Sequence, residues 1–241
     1  MNLDRPASLA VQIARLLRKQ LQRDDFNEER LPSEPELASQ FQVSRGTVRQ
    51  ALVILEREGI VFRRHGSGTY VNEYVLRIEA RAETAFEFSE LLRRSGFDPT
   101  IKVLEAREIV HDDLADKLEI PLGTPCLTIR KLFLANGEPA IYNTDIIPRT
   151  LNYGEYTDDE LHTSIFEFME EKCGQEIVQM LSEIIPTVVD DELAHLLDME
   201  PGAPLLQFDE VHQNKLYKPV FFSRNYYRRQ FVRFSVLRSK A

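Results

Sequence analysis

The stretch LPSEPELASQFQVSRGTVRQALVILEREG places two helix starts almost back to back. Ser33 with Glu36 three residues later is a capping box, which answers orphan amides at a helix start. Pro35 falls in the first turn, where its missing N–H costs little. Leu37 and Phe41 form the inward face of this short helix. Only Gln42 and Val43 then precede Ser44, which caps a second helix. There Val48, Leu52 and Leu55 recur at the spacing of a buried stripe, and Gly59 supplies a C-terminal stop. Upstream, Leu9, Ile13, Leu16, Leu17 and Leu21 predict an amphipathic helix over about residues 7–24, followed by the acidic loop DDFNEE. Downstream, IVFRR and TYVN flank HGSG, a hairpin with a glycine-rich tip. Three helices and a hairpin make a winged helix-turn-helix, expected over residues 1–72.

This layout carries its own chemistry. A helix entering the major groove reads bases with side chains near its N-terminus, and its dipole and hydroxyls hold phosphates. Ser44, Arg45, Thr47 and Arg49 occupy those positions. Arg suits guanine edges or phosphate, so Arg49 is left with either role. In the hairpin, Arg63, Arg64 and His65 lead into Gly66, Ser67 and Gly68, small residues that permit close approach to a minor groove. Taken singly, the arginines would be solvated charges and the glycines a plain turn. In this order they predict double-stranded DNA as a partner.

Charge divides along the chain in the same sense. The net charge is −9, yet residues 1–72 carry 11 Lys+Arg against 9 Asp+Glu, while the remainder carries 19 against 30. A polyanion is therefore met by the head. No apolar run is long enough to span a membrane, and the N-terminus lacks a signal-peptide core. Cys126 and Cys173 have no paired spacing, which predicts a cytoplasmic protein without disulfide or zinc framework. No metal, cofactor or catalytic residue is expected: Glu192-x-x-His195 is half a metal motif without a second half, and His111, His162 and His212 are not at ligand spacing.

Residues 73–85 read as a charged, ordered linker. Beyond them lies an internal repeat: LADKLEIPLGTPCL (114–127) aligns with LAHLLDMEPGAPLL (193–206). Each copy continues into a strand, hairpin and strand, which predicts at least four antiparallel strands with helices against them, an α+β domain over 86–241. Between the copies, DDELHTSIFEFMEEKCG reads as one helix with Leu161, Ile165, Phe168 and Met169 inward. Asp190-Asp191-Glu192 is an acidic helix start suited to the dipole.

The run LPSEPELASQFQVSRGTVRQALVILEREGIVFRRHGSGTYV resembles the DNA-binding domain of the GntR family of bacterial transcription regulators. That resemblance implies operator contacts from Arg45, Thr47 and Arg49, a phosphate contact from Ser33, and His65 and Gly66 at the minor groove. Family members commonly carry Arg in the S-E-R-E-L run; here Pro35 stands there, so one contact is absent. The second part resembles the effector domain of the HutC subfamily, of chorismate-lyase-like fold, through FSELLRRSGFDPT, LFLANGEPAIYNTDIIP, TSIFEFMEEKCG and PVFFSRNYYRRQF. The resemblance implies a small-molecule sensor and homodimer, with Ser89, Arg130, Lys131, Tyr142, Ser164, Phe166 and Tyr227 at the effector. Where members that sense sugar phosphates carry an R-x-R clamp, this chain has Lys131 and Phe133. Where they carry acids, it has Asn143 and Phe221. These exchanges point away from a phosphorylated sugar, because a single Lys replaces a bidentate clamp. Strand alternation does not separate an apolar pocket from an ordinary core for Phe133 and Phe221. The function expected is an effector-controlled, sequence-specific regulator, a repressor by preference. The alternatives are a non-specific DNA binder, which the modest basic charge disfavours, and a chorismate-lyase-like enzyme, which would need no head.

Overall fold

Helix α1 (Leu9–Gln22) builds the first core through Ala10, Ile13, Ala14, Leu17 and Leu21. Two leucines counted in its inward stripe point outward instead: Leu9 is 58% and Leu16 51% exposed. At about 3.6 residues per turn they fall off the arc that Ile13, Leu17 and Leu21 define, and Ala10 and Ala14 fill that arc instead. The small alanines let α1 approach α3 (Arg45–Arg57), whose Val48, Ala51, Leu52 and Leu55 are buried opposite. Helix α2 (Glu34–Gln40) contributes Leu37 and Ala38, with Phe41 partly buried at its end. Gly59 follows α3 at φ 72°, the left-handed conformation its position requires. Strands β1 (Val61–Arg64) and β2 (Gly68–Val71) pair antiparallel as the wing. The chain continues through the helical turn α4 (Glu73–Leu76), with Val75 in the same core, and the short strand β3 (Ala80–Arg81).

The computed structural model describes residues 8–22, 30–78, 80–82, 84 and 87–238. The acidic loop DDFNEE and the outer ends of the first predicted helix lie outside them. Contacts divide the chain into one unit of Met1–Arg81 with Ser235–Ala241 and another of Ala82–Phe234. Leu237 belongs to the first, where it sits against Gly59.

The second unit is organised by its repeat. Strand β4 (Pro99–Val110), the helix α6 (Ala115–Leu118), and strands β5 (Pro125–Ala135) and β6 (Glu138–Pro148) form one copy, with helix α5 (Phe88–Arg94) ahead of them. Strand β7 (Ile177–Val188), helix α9 (Asp191–Leu197), and strands β8 (Pro204–Asn214) and β9 (Pro219–Tyr227) form the other. Both repeated helices end on a left-handed residue at the same place, Glu119 at φ 52° and Asp198 at φ 50°. The six strands make one antiparallel sheet in the order β4-β5-β6-β9-β8-β7, so the copies meet where β6 pairs with β9. The outer strands β4 and β7 extend the four that the repeat predicts. They were harder to see because each edge strand alternates half-buried and exposed residues, without a continuous apolar run.

Each face of this sheet has its own cover. Leu132, Tyr142 and Leu205 pack with Leu193 and Leu197 of α9. On the opposite face Leu127, Ile129, Ile147 and Phe221 pack with Leu161, Phe168 and Met169. Those last residues come from two helices, α7 (Asp158–Leu161) and α8 (Ile165–Cys173), where the sequence suggested one. The break lies at His162-Thr163-Ser164. Thr163 Oγ1 donates back to the Glu160 carbonyl, and Ser164 accepts from Phe166 N as a fresh N-cap. Hydroxyls that bond the local backbone compete with helix continuation, which is the physical reason for the split.

Candidate functional site

The head offers its polar side chains to solvent, and most are held by neighbours. Ser33 donates from both N and Oγ to Glu36 Oε2 at 2.7 Å, so Pro35 is accommodated inside a closed capping box. Ser44 Oγ accepts from Thr47 N at 3.1 Å and shares a 2.8 Å bond with Thr47 Oγ1. Arg49 points Nε and Nη2 at the Glu34 carboxylate, the shorter bond being 2.9 Å, and its side chain remains 63% exposed. This bond holds the Glu34 carboxyl below its usual range. Arg45 is exposed on the same turn.

On the wing, Arg64 lies over the Tyr70 ring at 4.5 Å, and Tyr70 OH bonds Ser67 Oγ at 2.6 Å. His65 and Gly66 are exposed at the tip, with open space where a Gly66 side chain would go. Gly68 has φ 122°, and a Cβ there would come within 2.8 Å of Arg30 Nε. Arg30 was not singled out from sequence. It reaches the wing because Leu31 N donates to Thr69 O at 2.9 Å, adding a bridge beside β2. A cationic side chain one residue before the capping-box segment was the available signal.

The second unit encloses a cavity of ≈ 270 Å³ against the face of the sheet that α7 and α8 cover. Six expected effector residues line it: Lys131, Phe133, Asn143, Ser164, Phe166 and Tyr227. Four do not. Arg130 and Tyr142 lie on the opposite face, where Arg130 bonds both Tyr142 OH and Glu192 of α9. Strand alternation sends Arg130 and Lys131 to opposite sides. Ser89 is buried in α5, with its backbone N taken by the Glu87 carboxylate at 3.0 Å. Phe221 is fully buried in the core, its ring stacked 3.9 Å from that of His212. Of the two phenylalanines expected at the effector, one replacing a clamp Arg and one an acid, only the first faces the cavity. Phe133 lines it and Phe221 supports it from behind.

Polar residues that the sequence reading did not place at the effector take up the floor. Asp145, Glu210 and His212 line the cavity with Ser182 and Ser223. Asn143 Nδ2 donates to Asp145 Oδ1 at 3.0 Å and to Asn225 Oδ1 at 2.9 Å. Ser223 Oγ donates to Asp145 Oδ1 at 2.6 Å. Asn225 Nδ2 donates to Glu210 Oε2 at 2.8 Å, and Ser182 donates to the other oxygen. The register explains the cluster: Asn143 pairs with Asn225 and Asp145 with Ser223 across the β6–β9 seam. Lys131 reaches the Thr163 carbonyl at 3.2 Å, which the break between α7 and α8 leaves open. Burial lowers the Lys131 pKa against the pull of Asp145 and Glu87. Burial likewise raises Asp145, against Lys131 and its hydrogen bonds, and raises Glu210. His212 is pushed down to about 3 by burial, so its ring is neutral near pH 7. Polar residues at inward positions of otherwise apolar runs, AIYNTDII and FFSRNYY, were the sequence signal for this floor.

Comparison with known proteins bears on both units. The profile of bacterial regulatory proteins of the gntR family matches residues 9–71, and that of the UTRA domain matches residues 94–233. The chain is 30% identical over 211 residues to the HTH-type transcriptional repressor NagR of Bacillus subtilis, covering 86% of this chain and 84% of that protein. It is also 30% identical over 198 residues to the mannosyl-D-glycerate transport/metabolism system repressor MngR of Escherichia coli, covering 81% of each. Among solved structures, the possible transcriptional regulator YydK from Bacillus subtilis shares the fold at TM-score 0.76 and 21% identity, covering 97% of this chain and 100% of that one.

Proposed function

The chain belongs to the GntR family of bacterial transcription regulators, in the HutC-type branch that carries a UTRA domain, and from that premise we propose that it is a homodimeric repressor released from its operator by a non-phosphorylated small molecule. It is a DNA-binding regulator under effector control. No helix among the described residues is long and apolar enough to cross a membrane. In our reading α3 enters the major groove with Arg45, Thr47 and Arg49. Ser33 and Ser44 face phosphates, and Arg64, His65, Gly66, Ser67 and Gly68 approach the minor groove. The effector occupies the cavity over Lys131, Asn143 and Asp145.

One observation carries this reading. A reading helix and glycine-tipped wing stand on a chain whose other unit encloses a cavity lined with buried polar groups. A ligand shifts operator binding only through unequal affinity for the competent and incompetent states. Support for a second copy comes from edge strand β7, where Leu181, Ile184 and Val188 are exposed along an edge that pairs only with β8 among the described residues. The test begins with fragments of the source genome selected by the purified protein. A palindromic site bound by a dimer in sedimentation, and vacated on adding a compound encoded by the neighbouring genes' pathway, meets the proposal. Binding without sequence preference defeats it.

A further inference from the structure

We propose that the cavity recognises its ligand by a positively charged nitrogen, an amine seated between Glu210 and Asp145. This deepens the effector reading above and rests on it. The argument starts from the direction of the hydrogen bonds on the floor. Both amide protons of Asn143 go to Asp145 and Asn225, the Ser223 proton goes to Asp145, and the Ser182 proton goes to Glu210. These donors are thus spent within the floor. Among the described residues Asn143 Oδ1 has no partner, and neither ring nitrogen of His212 has one; the neutral imidazole adds one open acceptor and one open donor. Both residues line the cavity and are only 1% and 2% exposed. A buried acceptor left without a donor is destabilising, so a ligand that brings N–H groups recovers that cost.

Charge points the same way. Among the described residues, four charged side chains line the cavity: Lys131, Glu87, Asp145 and Glu210. Glu87 caps α5 through the amides of Ser89 and Glu90. Lys131 and Asp145 attract one another. Glu210 makes no ion pair among the described residues; its bonds come from a hydroxyl and an amide, and its charged neighbours Asp145 and Asp209 are acids. A phosphate or carboxylate brings only acceptors and negative charge to this surface, with Lys131 the one cation among the described lining residues to receive it. An ammonium brings three donors and no acceptor. The walls also suit a cation, since Phe88, Phe133, Phe166, Phe208 and Tyr227 present rings to the cavity.

The test uses the full chain and a matched probe panel. Ethanolamine, cadaverine, agmatine and glucosamine are titrated by calorimetry against glucose, glucose 6-phosphate, acetate and inorganic phosphate. At least one amine binds saturably, roughly tenfold or more tighter than the neutral or anionic probes. Glu210→Gln lowers that affinity at least tenfold, while the exposed Glu138→Gln leaves it unchanged. If Glu210→Gln melts early, Asp145→Asn serves in its place, since Asn keeps an oxygen for Ser223. Saturable binding of phosphate or acetate with no amine binding overturns the proposal. So does an absence of binding by every amine, or amine binding that neither variant weakens. An amine that binds without changing operator affinity in a gel shift leaves the charge assignment standing and removes the effector reading. A phosphate that binds and releases operator does the reverse.

Discussion

The two candidate sites solve opposite problems. In the head, the groups proposed to meet DNA lie at the surface and are locally satisfied: Ser44 with Thr47, Arg49 with Glu34, Ser67 with Tyr70. In the second unit, Lys131, Asn143, Asp145, Glu210, His212 and Ser223 of the cavity are buried, and among the described residues some of their polar atoms have no partner. A polyanion is met across water, where exposed cations act by number and position and partners exchange cheaply. A small molecule must be recognised in a dry pocket, where each unmet acceptor is costly enough to select its occupant.

That contrast can be broken by mutation, beginning with packing. Phe221→Ala removes a fully buried ring beneath His212, and it is expected to cost about 3–5 kcal/mol in urea denaturation. Phe62→Ala on the wing, where the ring is 37% exposed, should change stability by less than about 1 kcal/mol. Equal losses would show that the head is as tightly built as the cavity floor. Next in size, Arg49→Ala should remove roughly 1–3 kcal/mol of operator discrimination if Arg49 reads a base. If it holds a phosphate, affinity falls evenly across sequences and the salt slope becomes shallower. Unchanged binding across a salt series would take Arg49 out of the interface.

Smaller effects probe how the head is held ready. Ser44→Ala removes the cap of α3 and the bond that orients Thr47, at a cost of about 1 kcal/mol seen as a lower melting temperature. Glu34→Gln frees Arg49 from its carboxylate and removes a negative charge beside it. DNA affinity should rise roughly twofold to threefold at low salt, and the gain should vanish at high salt. A fall instead would mean that Glu34 positions Arg49 for contact rather than competing for it.

The head was legible because its determinants are local. Caps act over three residues, the turn is two residues long, and glycine stands where φ is positive, at Gly59, Gly66 and Gly68. The cavity was legible only in part. Lys131, Phe133, Asn143, Ser164, Phe166 and Tyr227 came from the family resemblance and do meet around it. Asp145, Glu210, His212 and Ser182 did not stand out as effector residues, since each contributes through a strand partner distant in sequence. Arg130 and Tyr142, expected at the effector from the same resemblance, lie on the other face of the sheet, because one residue along a strand reverses a side chain's face.

What the sequence determined by itself is the inventory and the order. It set a capped helix-turn-helix with a glycine-tipped wing, then two copies of a helix, turn and hairpin in an acidic second half. What only the tertiary structure decided is which polar residues face each other. The β6–β9 seam pairs Asn143 with Asn225 and Asp145 with Ser223, and the break before Ser164 opens a carbonyl to Lys131. The physical reason is range. Helix caps and turns are closed by neighbours along the chain, whereas a pocket floor is closed by long-range strand register, which the packing of the whole sheet fixes.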